Sequence, residues 1–376
     1  MDVYDDLGVK KLINGYATVT VLGGSLMPRQ VMDAMAEASR HFVDIDELQE
    51  RVGARIASWT RNEAAYVSSG AAAALALTTA ACIAGVDPAK RERLPVSDGM
   101  RNEIIIHRCF RVGYDFAIRQ AGGRLVEIGD ERGAGAEELE RAISDRTAAV
   151  FYFYNPSRMP GHVPLADAVR IAHARGVSVI VDAAAQIPPV ENLWMFTGLG
   201  ADAALFSGGK GLRGPQSSGL IVGKKELIRA CAFHACPRPF IGRPMKAGKE
   251  EIVGLMAAVR LYLDLDHKEL MRSYEEQVRY VVEELRREPH LSARRDFPSE
   301  AGQPMPRALL ELDERGSGLE RDRLLELLRA GEPGVALAPG APGTFYVNPQ
   351  TLEPGEVKVV VERVRAVLRA AGPKEG

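Results

Sequence analysis

The chain has 376 residues, a net charge of −2 and 26% charged residues, proportions of an ordinary soluble protein long enough to bury a large core in two domains. A near-neutral balance without a long basic run argues against nucleic acid as the main partner. No run reaches the ~18 apolar residues of a membrane helix, and the acidic start (Met1-Asp-Val-Tyr-Asp-Asp-Leu7) is not a secretion signal.

Residues 1–30 have little periodicity and read as a surface arm carrying Asn14-Gly15-Tyr16 and Gly23-Gly24-Ser25. Helical spacing of Val31, Met35 and Ala38 predicts a helix over 29–42, and a second covers about 45–59. A short strand over 64–68 runs into Ser69-Gly70-Ala71 and an Ala-rich helix. Such a helix start has several unpaired N–H groups, so Ser69, Gly70 and Ala71 are phosphate-binding candidates as well as an ordinary cap. Residues 86–102 read as a loop or short insertion. Strands follow over 103–107, ending at His107, over 124–128, and over 148–154, ending at Asn155. Helices are predicted over 136–144 and 165–175, the latter stopped by Gly176.

The apolar run Val177-Ser-Val-Ile-Val181 ends on Asp182. This alternation predicts an α/β fold with a mostly parallel sheet and crossover helices. In such sheets ligands bind beyond the carboxyl ends of the strands, where Ser69, His107, Asn155 and Asp182 all fall. Residues 202–223 then place a glycine-flanked loop, Ser207-Gly208-Gly209-Lys210-Gly211-Leu212-Arg213, between two apolar strands. An acid at a buried strand end followed by a lysine in a Gly-rich turn suits pyridoxal 5'-phosphate. The lysine would form a Schiff base with the aldehyde and the carboxylate would keep the ring nitrogen protonated. Ser207 could offer its hydroxyl to the phosphate. Taken alone, Lys210 would be an exposed loop lysine and Asp182 a solvated strand end.

After a helix over 224–231, a Pro/Gly-rich stretch holds Arg238, Arg243, Lys246 and Lys249. Arginine presents a planar two-pronged donor to carboxylates and phosphates, so Arg243 and Lys246 are candidates for a substrate anion. Residues 250–287 read as one long helix. Strands over 308–312 and 345–347 and helices over 319–330 and 355–371 make a small C-terminal α+β domain. The expected division is an arm with the first helix (1–45), a large domain (46–250) and a small domain (251–376). The four cysteines, Cys82, Cys109, Cys231 and Cys236, are too scattered for a disulfide framework. Cys231, His234 and Cys236 lack the ligand number and spacing of a zinc site, so no metal is expected. The reading is a cytoplasmic enzyme with free thiols.

Five colinear segments carry a family resemblance: Asn14 to Pro28, Asp182-Ala-Ala-Ala-Gln186-Ile-Pro-Pro189, Ser207 to Gln216, Gly242-Arg243-Pro-Met-Lys246 and Asn348-Pro-Gln-Thr-Leu352. They resemble the fold-type-I pyridoxal-phosphate enzymes, and within these the selenocysteine-synthase-like branch that includes the D-glucosaminate-6-phosphate ammonia-lyases. The resemblance implies the large-domain fold of the aspartate aminotransferase type and catalysis by Lys210 and Asp182. It implies a ring-stacking residue at His107 or Phe110 and cofactor contacts from Asn155, Gln186, Ser207 and Gln216, the last near the partner's phosphate in a homodimer or higher homo-oligomer. Asn14, Tyr16, Arg213, Arg243, Lys246 and Asn348 become substrate-side candidates. Relatives often carry histidine near position 110, where this chain has phenylalanine. Selenocysteine synthase acts on a tRNA through an extra N-terminal region, for which the early position of Asn14 leaves no room.

The implied reaction is α,β-elimination from a β-hydroxy amino acid. The substrate would be an amino sugar acid such as D-glucosaminate or its 6-phosphate, and the products a 2-keto-3-deoxy acid and ammonia. Lys210, His107, Tyr16 or Tyr346 could protonate the leaving hydroxyl. An aminotransferase, a racemase, a selenium transferase or a non-catalytic cofactor-binding protein are the alternatives on the same scaffold.

Overall fold

The computed structural model describes residues 2–158 and 161–371. Its strands are, in chain order, β1 (Leu12–Gly15), β2 (Ala64–Ser68), β3 (Glu103–His107), β4 (Arg124–Ile128), β5 (Thr147–Phe153) and β6 (Ser178–Asp182). They continue with β7 (Ala203–Ser207), β8 (Gly219–Gly223), β9 (Leu291–Asp296), β10 (Arg307–Leu312), β11 (Gly334–Pro339) and β12 (Thr344–Val347).

Contacts divide the chain into two compact units, one of residues 1–24, 266–300 and 304–376, the other of residues 25–265 with 301–303. The sequence reading set its breaks after 45 and after 250. Both boundaries have a local cause. The arm contains β1, which pairs in parallel with β11 from Leu12↔Gly334 to Gly15↔Leu337. That pairing makes the arm an edge of the smaller unit's five-stranded sheet, in the order β1-β11-β12-β10-β9. The helix Arg29–Ser39 belongs instead to the larger unit, where Gly254 of the helix Lys249–Leu263 leaves room for Met35. The long helix expected over 250–287 is two helices, Lys249–Leu263 and His267–Leu285. Asp266 breaks it, its carboxylate accepting the N–H groups of Lys268 and Glu269 as a new N-cap. The unit boundary falls at this break.

In the larger unit the seven strands run in the order β2-β8-β7-β6-β5-β3-β4. Neighbouring pairs are parallel except those of β8, which is antiparallel to both β7 and β2. This is the mostly parallel α/β sheet expected from the alternation. Side chains alternate between two apolar layers. Ile105, Val150, Val181 and Phe206 face one layer, and Ile104, Phe151, Ile180 and Leu205 face the other. A sheet covered on both sides explains why these strands are near-continuous apolar runs. The helix Ala71–Ala84 is apolar all round and is almost wholly buried.

Because β8 alone runs the other way, β2, β3, β5, β6 and β7 all end on one edge, at Ser68, His107, Phe153, Asp182 and Ser207. The Lys210 loop joins β7 to β8 at that edge. Within residues 86–102 the chain forms a short helix, Pro88–Arg93, capped by Asp87. Among the described residues no helix is long and apolar enough to cross a membrane.

Phe206 is fully buried between β7's neighbours. Its replacement by alanine should cost about 3–5 kcal/mol through lost burial and the cavity left behind, read as a lower urea midpoint with an unchanged slope.

Candidate active site

Three adjacent strand ends build the floor of a pocket of about 170 Å³, lined by Phe110, Val112, Tyr114, Phe153, Tyr154, Asn155, Asp182, Ala184, Ala185, Gln186, Lys210 and Ala301. Asp182 is the last residue of β6. Its Oδ1 accepts the Ala184 N–H at 2.9 Å. Burial raises its carboxyl above the ordinary value, while the Ala184 N–H and the positive charge of Lys210 pull it back.

The Lys210 turn is held by backbone bonds, Gly208 N–H to Ser218 O (2.8 Å), Gly214 N–H to Gly208 O (2.8 Å) and Arg213 N–H to Lys210 O (2.9 Å). It is packed so closely that only glycine fits at several positions. A Cβ at Gly208 would lie 2.0 Å from Ser218 Oγ, one at Gly209 2.5 Å from Gln216 Oε1, and one at Gly211 2.1 Å from the Ile187 carbonyl oxygen. The last contact seats the lysine loop directly on the segment that follows Asp182. Ser25 Oγ donates to Gly209 O at 3.1 Å, and Arg213 Nε to Leu26 O at 2.8 Å.

The Ser69-Gly70-Ala71 turn lies beside this loop. Gly70 has φ +107° and begins the helix Ala71–Ala84 without a side-chain cap. Open space surrounds the position of a Gly70 Cβ, whereas a Cβ at Gly219 would meet the Gly70 carbonyl carbon at 2.4 Å. The first-turn amides are therefore uncapped by side chains and sit against the start of β8.

Of the two ring-stacking candidates, Phe110 lines the pocket and His107 does not. His107 is completely buried, with its ring edge-on to Phe110, Tyr152 and His162. Burial, reinforced by His162, pushes it down to about 4, so it is a neutral imidazole at pH 7. Asn155 lines the pocket, and its Oδ1 accepts from the Ser157 N–H (3.1 Å) and hydroxyl (2.6 Å). Gln186 also lines it, and its Nε2 donates to Ala301 O at 2.7 Å, which fixes the side chain in the wall. Ser207, at the end of β7, and Gln216, exposed beyond the lysine loop, are not among the lining residues.

The substrate-side candidates fare differently. Arg213 takes up left-handed backbone (φ +55°) and bonds Leu26, a positioning contact within the loop. Arg243 reaches the Cys236 sulfur at 3.8 Å, and neither it nor Lys246 lines the pocket. In the smaller unit, Asn14 spends its side chain on its own turn, accepting from Tyr16 N and Ala17 N and donating to Ala17 O. Asn348 is fully buried and caps the following turn through Gln350 N. Short polar side chains favour such local backbone bonds, which take up the Asn14 amide and the Asn348 oxygen, while the Asn348 Nδ2 is buried without a hydrogen-bond partner among the described residues. Sequence reasoning missed Tyr154, Val112, Tyr114 and Ala301. Tyr154 could have been found, since it immediately precedes Asn155 at a strand end. Ala301 gives no local signal.

The model of the SelA family, L-seryl-tRNA selenium transferase, matches residues 12–273. The chain belongs to this family. It is 34% identical to D-glucosaminate-6-phosphate ammonia lyase of Salmonella typhimurium, over 98% of this chain and 99% of the relative. It is also 34% identical to 5'-C-glycyluridine monooxygenase-decarboxylase of a Streptomyces species, over 97% of this chain and 92% of the relative. A solved structure of D-glucosaminate-6-phosphate ammonia-lyase superposes with a TM-score of 0.86, covering 99% of both chains. The fold is that of the fold-type-I pyridoxal-phosphate enzymes, and the family's cofactor is pyridoxal 5'-phosphate. The residues present fit it: an acid and a lysine share one pocket, an aromatic ring forms a wall, and uncapped helix amides border the lysine loop.

The raised Asp182 carboxyl has a measurable consequence in the cofactor-free chain. Burying its ionised form costs stability above the raised pKa, and that cost disappears below the ordinary carboxylate value. Asp182→Asn should therefore melt higher than the wild type at pH 7–8, with the gap closing as pH falls towards the ordinary carboxylate range. Thermal melts of both proteins across that range check the sign.

Proposed function

We propose that the chain is a pyridoxal-phosphate-dependent ammonia-lyase acting on an amino sugar acid of the D-glucosaminate type, free or 6-phosphorylated. The observation that carries this reading is the shared pocket of Lys210 and Asp182 in a chain that matches an ammonia-lyase along its whole length.

Lys210 holds the cofactor aldehyde, Asp182 the ring nitrogen, and Phe110 one face of the ring. Ser69 and the first amides of the helix Ala71–Ala84 take the phosphate, with Ser207 and a partner's Gln216 as further contacts. When bound, the cofactor supplies an electron sink for the negative charge developing at the substrate Cα. The free Lys210 amine would remove the substrate's Cα proton. The walls formed by Phe110, Phe153 and Tyr154 keep bulk water from that proton. The β-hydroxyl then departs with a proton, leaving an enamine that hydrolyses to a 2-keto-3-deoxy acid and ammonia.

Of the acids considered for the leaving hydroxyl, His107 is unsuited because it is neutral and fully buried. Lys210, protonated by its first step, is the direct donor. Tyr154 is a second acid in the pocket, and burial raises its phenol so that it keeps its proton.

Among the described residues that line the pocket Lys210 is the one cation, whereas the substrate carries one or two acidic groups. This supports a site completed by a second copy, as do the exposed apolar residues Leu26, Met32 and Phe42. The protein is read as at least a homodimer in the cytoplasm, and a solution mass of only 40.8 kDa would count against the assembly.

The equal identity to a monooxygenase-decarboxylase favours one rival, oxidative decarboxylation of a glycyl nucleoside. The assay separates them. Wild-type protein given D-glucosaminate 6-phosphate without oxygen or an amino acceptor should release ammonia and keto acid one to one. Dependence on oxygen would support the rival, and dependence on an acceptor an aminotransferase. Lys210→Ala should lose the visible cofactor band that borohydride bleaches in the wild type, and lower turnover by at least about 10³-fold.

A further inference from the structure

We propose that Cys109 and His162 form a reactive thiol–imidazole pair, a modification site for hydroperoxides and soft electrophiles beside the pocket. Cys109 Sγ lies 3.0 Å from His162 Nε2 and 3.9 Å from its Nδ1. Both residues are part-buried, so the sulfur is shielded but reachable. The pair belongs to a larger cluster. The His162 ring lies 4.8 Å from Phe110 and 5.2 Å from His107, the latter edge-on at 84°. His107 is completely buried, and among the described residues neither of its ring nitrogens has a hydrogen-bond partner. A polar ring left unsatisfied in the interior is costly and calls for a cause. It lies against the same imidazole that meets the sulfur. Tyr152 closes the cluster, its hydroxyl donating to Val163 O at 2.9 Å.

The elimination reaction uses none of Cys109, His162 or His107. Burial holds His162 below the ordinary imidazole value, so its ring is uncharged, and at 3.0 Å from the sulfur it can take up the thiol proton as the sulfur reacts. A thiol is reactive as its thiolate, which a neighbouring base makes available. With a hydroperoxide the sulfur attacks the terminal oxygen, an S–O bond forming as the O–O bond breaks. Sulfur is oxidised to a sulfenic acid and the peroxide is reduced to an alcohol or water. The proton taken by His162 ends on the departing oxygen. An alkyl halide follows the same course, with halide leaving.

The other three thiols supply internal controls. Cys231 is fully buried and burial raises it well above its usual value, while Cys82 is pushed up to about 12. Cys236 is partly exposed like Cys109, and the side chain beside its sulfur is Arg243 at 3.8 Å rather than an imidazole, so it serves as the control for a thiol without a neighbouring base. Cys109 also precedes Phe110, a wall of the pocket. A group added to the sulfur therefore competes for space with a residue that shapes the site.

The test is timed alkylation of the whole wild-type protein with iodoacetamide at pH 7, with each cysteine followed by peptide mass spectrometry. Cys109 should label at least about tenfold faster than Cys236, with Cys82 and Cys231 unlabelled until the protein is denatured. His162→Gln and His162→Asn should bring Cys109 to the Cys236 rate while leaving Cys236 itself unchanged. Hydrogen peroxide followed by dimedone should mark Cys109 alone. The proposal is overturned if Cys236 labels as fast as Cys109 in the wild type, or if folded His162 variants keep the fast rate. The wild-type comparison decides even where a variant fails to fold, and it does not depend on the lyase reading.

Discussion

The site depends on keeping a carboxylate at the end of a buried strand. Burial disfavours the charged form of Asp182, while one backbone N–H and the Lys210 ammonium favour it. These opposing effects tie the acid and the lysine together electrostatically before any cofactor is considered. β6 delivers the acid by its register, since Phe153 on β5 and Leu205 on β7 flank it directly. The acid's position is thus rigid, and the lysine has to be brought to it.

That is done by a continuous line of close approaches. Gly219 admits the Gly70 turn, Gly208 admits Ser218, Gly209 admits Gln216, and Gly211 admits the Ile187 carbonyl. Each contact needs a residue without a Cβ, and together they fix two loops and a helix start along one sheet edge. Glycine costs conformational entropy in the unfolded chain. Its concentration here shows that close packing of backbone on backbone, rather than side-chain interlock, sets the geometry. The one left-handed non-glycine residue in the loop, Arg213, is steadied by its bond to Leu26 O. Arg213, a substrate-side candidate from sequence, has its Nε engaged in this contact.

What could be read from the sequence divides along physical lines. β3, β6 and β7 are runs of apolar residues covered on both faces, so their ends and the residues after them were legible. Asp182, Asn155 and Phe110 came with those ends, and Lys210 with its glycines. β1, β9 and β11 were missed because each is short or partly exposed and earns its place by pairing with distant strands, as Leu12 does with Gly334. The helix break at Asp266 was present as a cap signal but was masked by apolar spacing on both sides. Polar candidates were the least legible. Asn14, Asn348 and Gln186 have side chains that suit a ligand, and each has at least one polar atom bonded to backbone, a choice that only the folded structure reveals.

The same division explains why reaction type is harder to read than cofactor. An acid, a lysine, an aromatic wall and an anion-accepting helix start are shared requirements of the cofactor, and they lie on the rigid sheet edge. The parts that choose between losing a hydroxyl and losing a carboxylate must touch the substrate beyond that edge. Among the described lining residues Lys210 is the one cation, with Tyr114, Tyr154 and Val112 around it, and its charge lies where the cofactor requires it. Two relatives equally identical to this chain carry the names of different reactions. Identity measured along the whole chain does not weigh the few residues that touch the substrate above the many that build the core. Substrate turnover, and not further comparison of the sheet edge, therefore separates the readings.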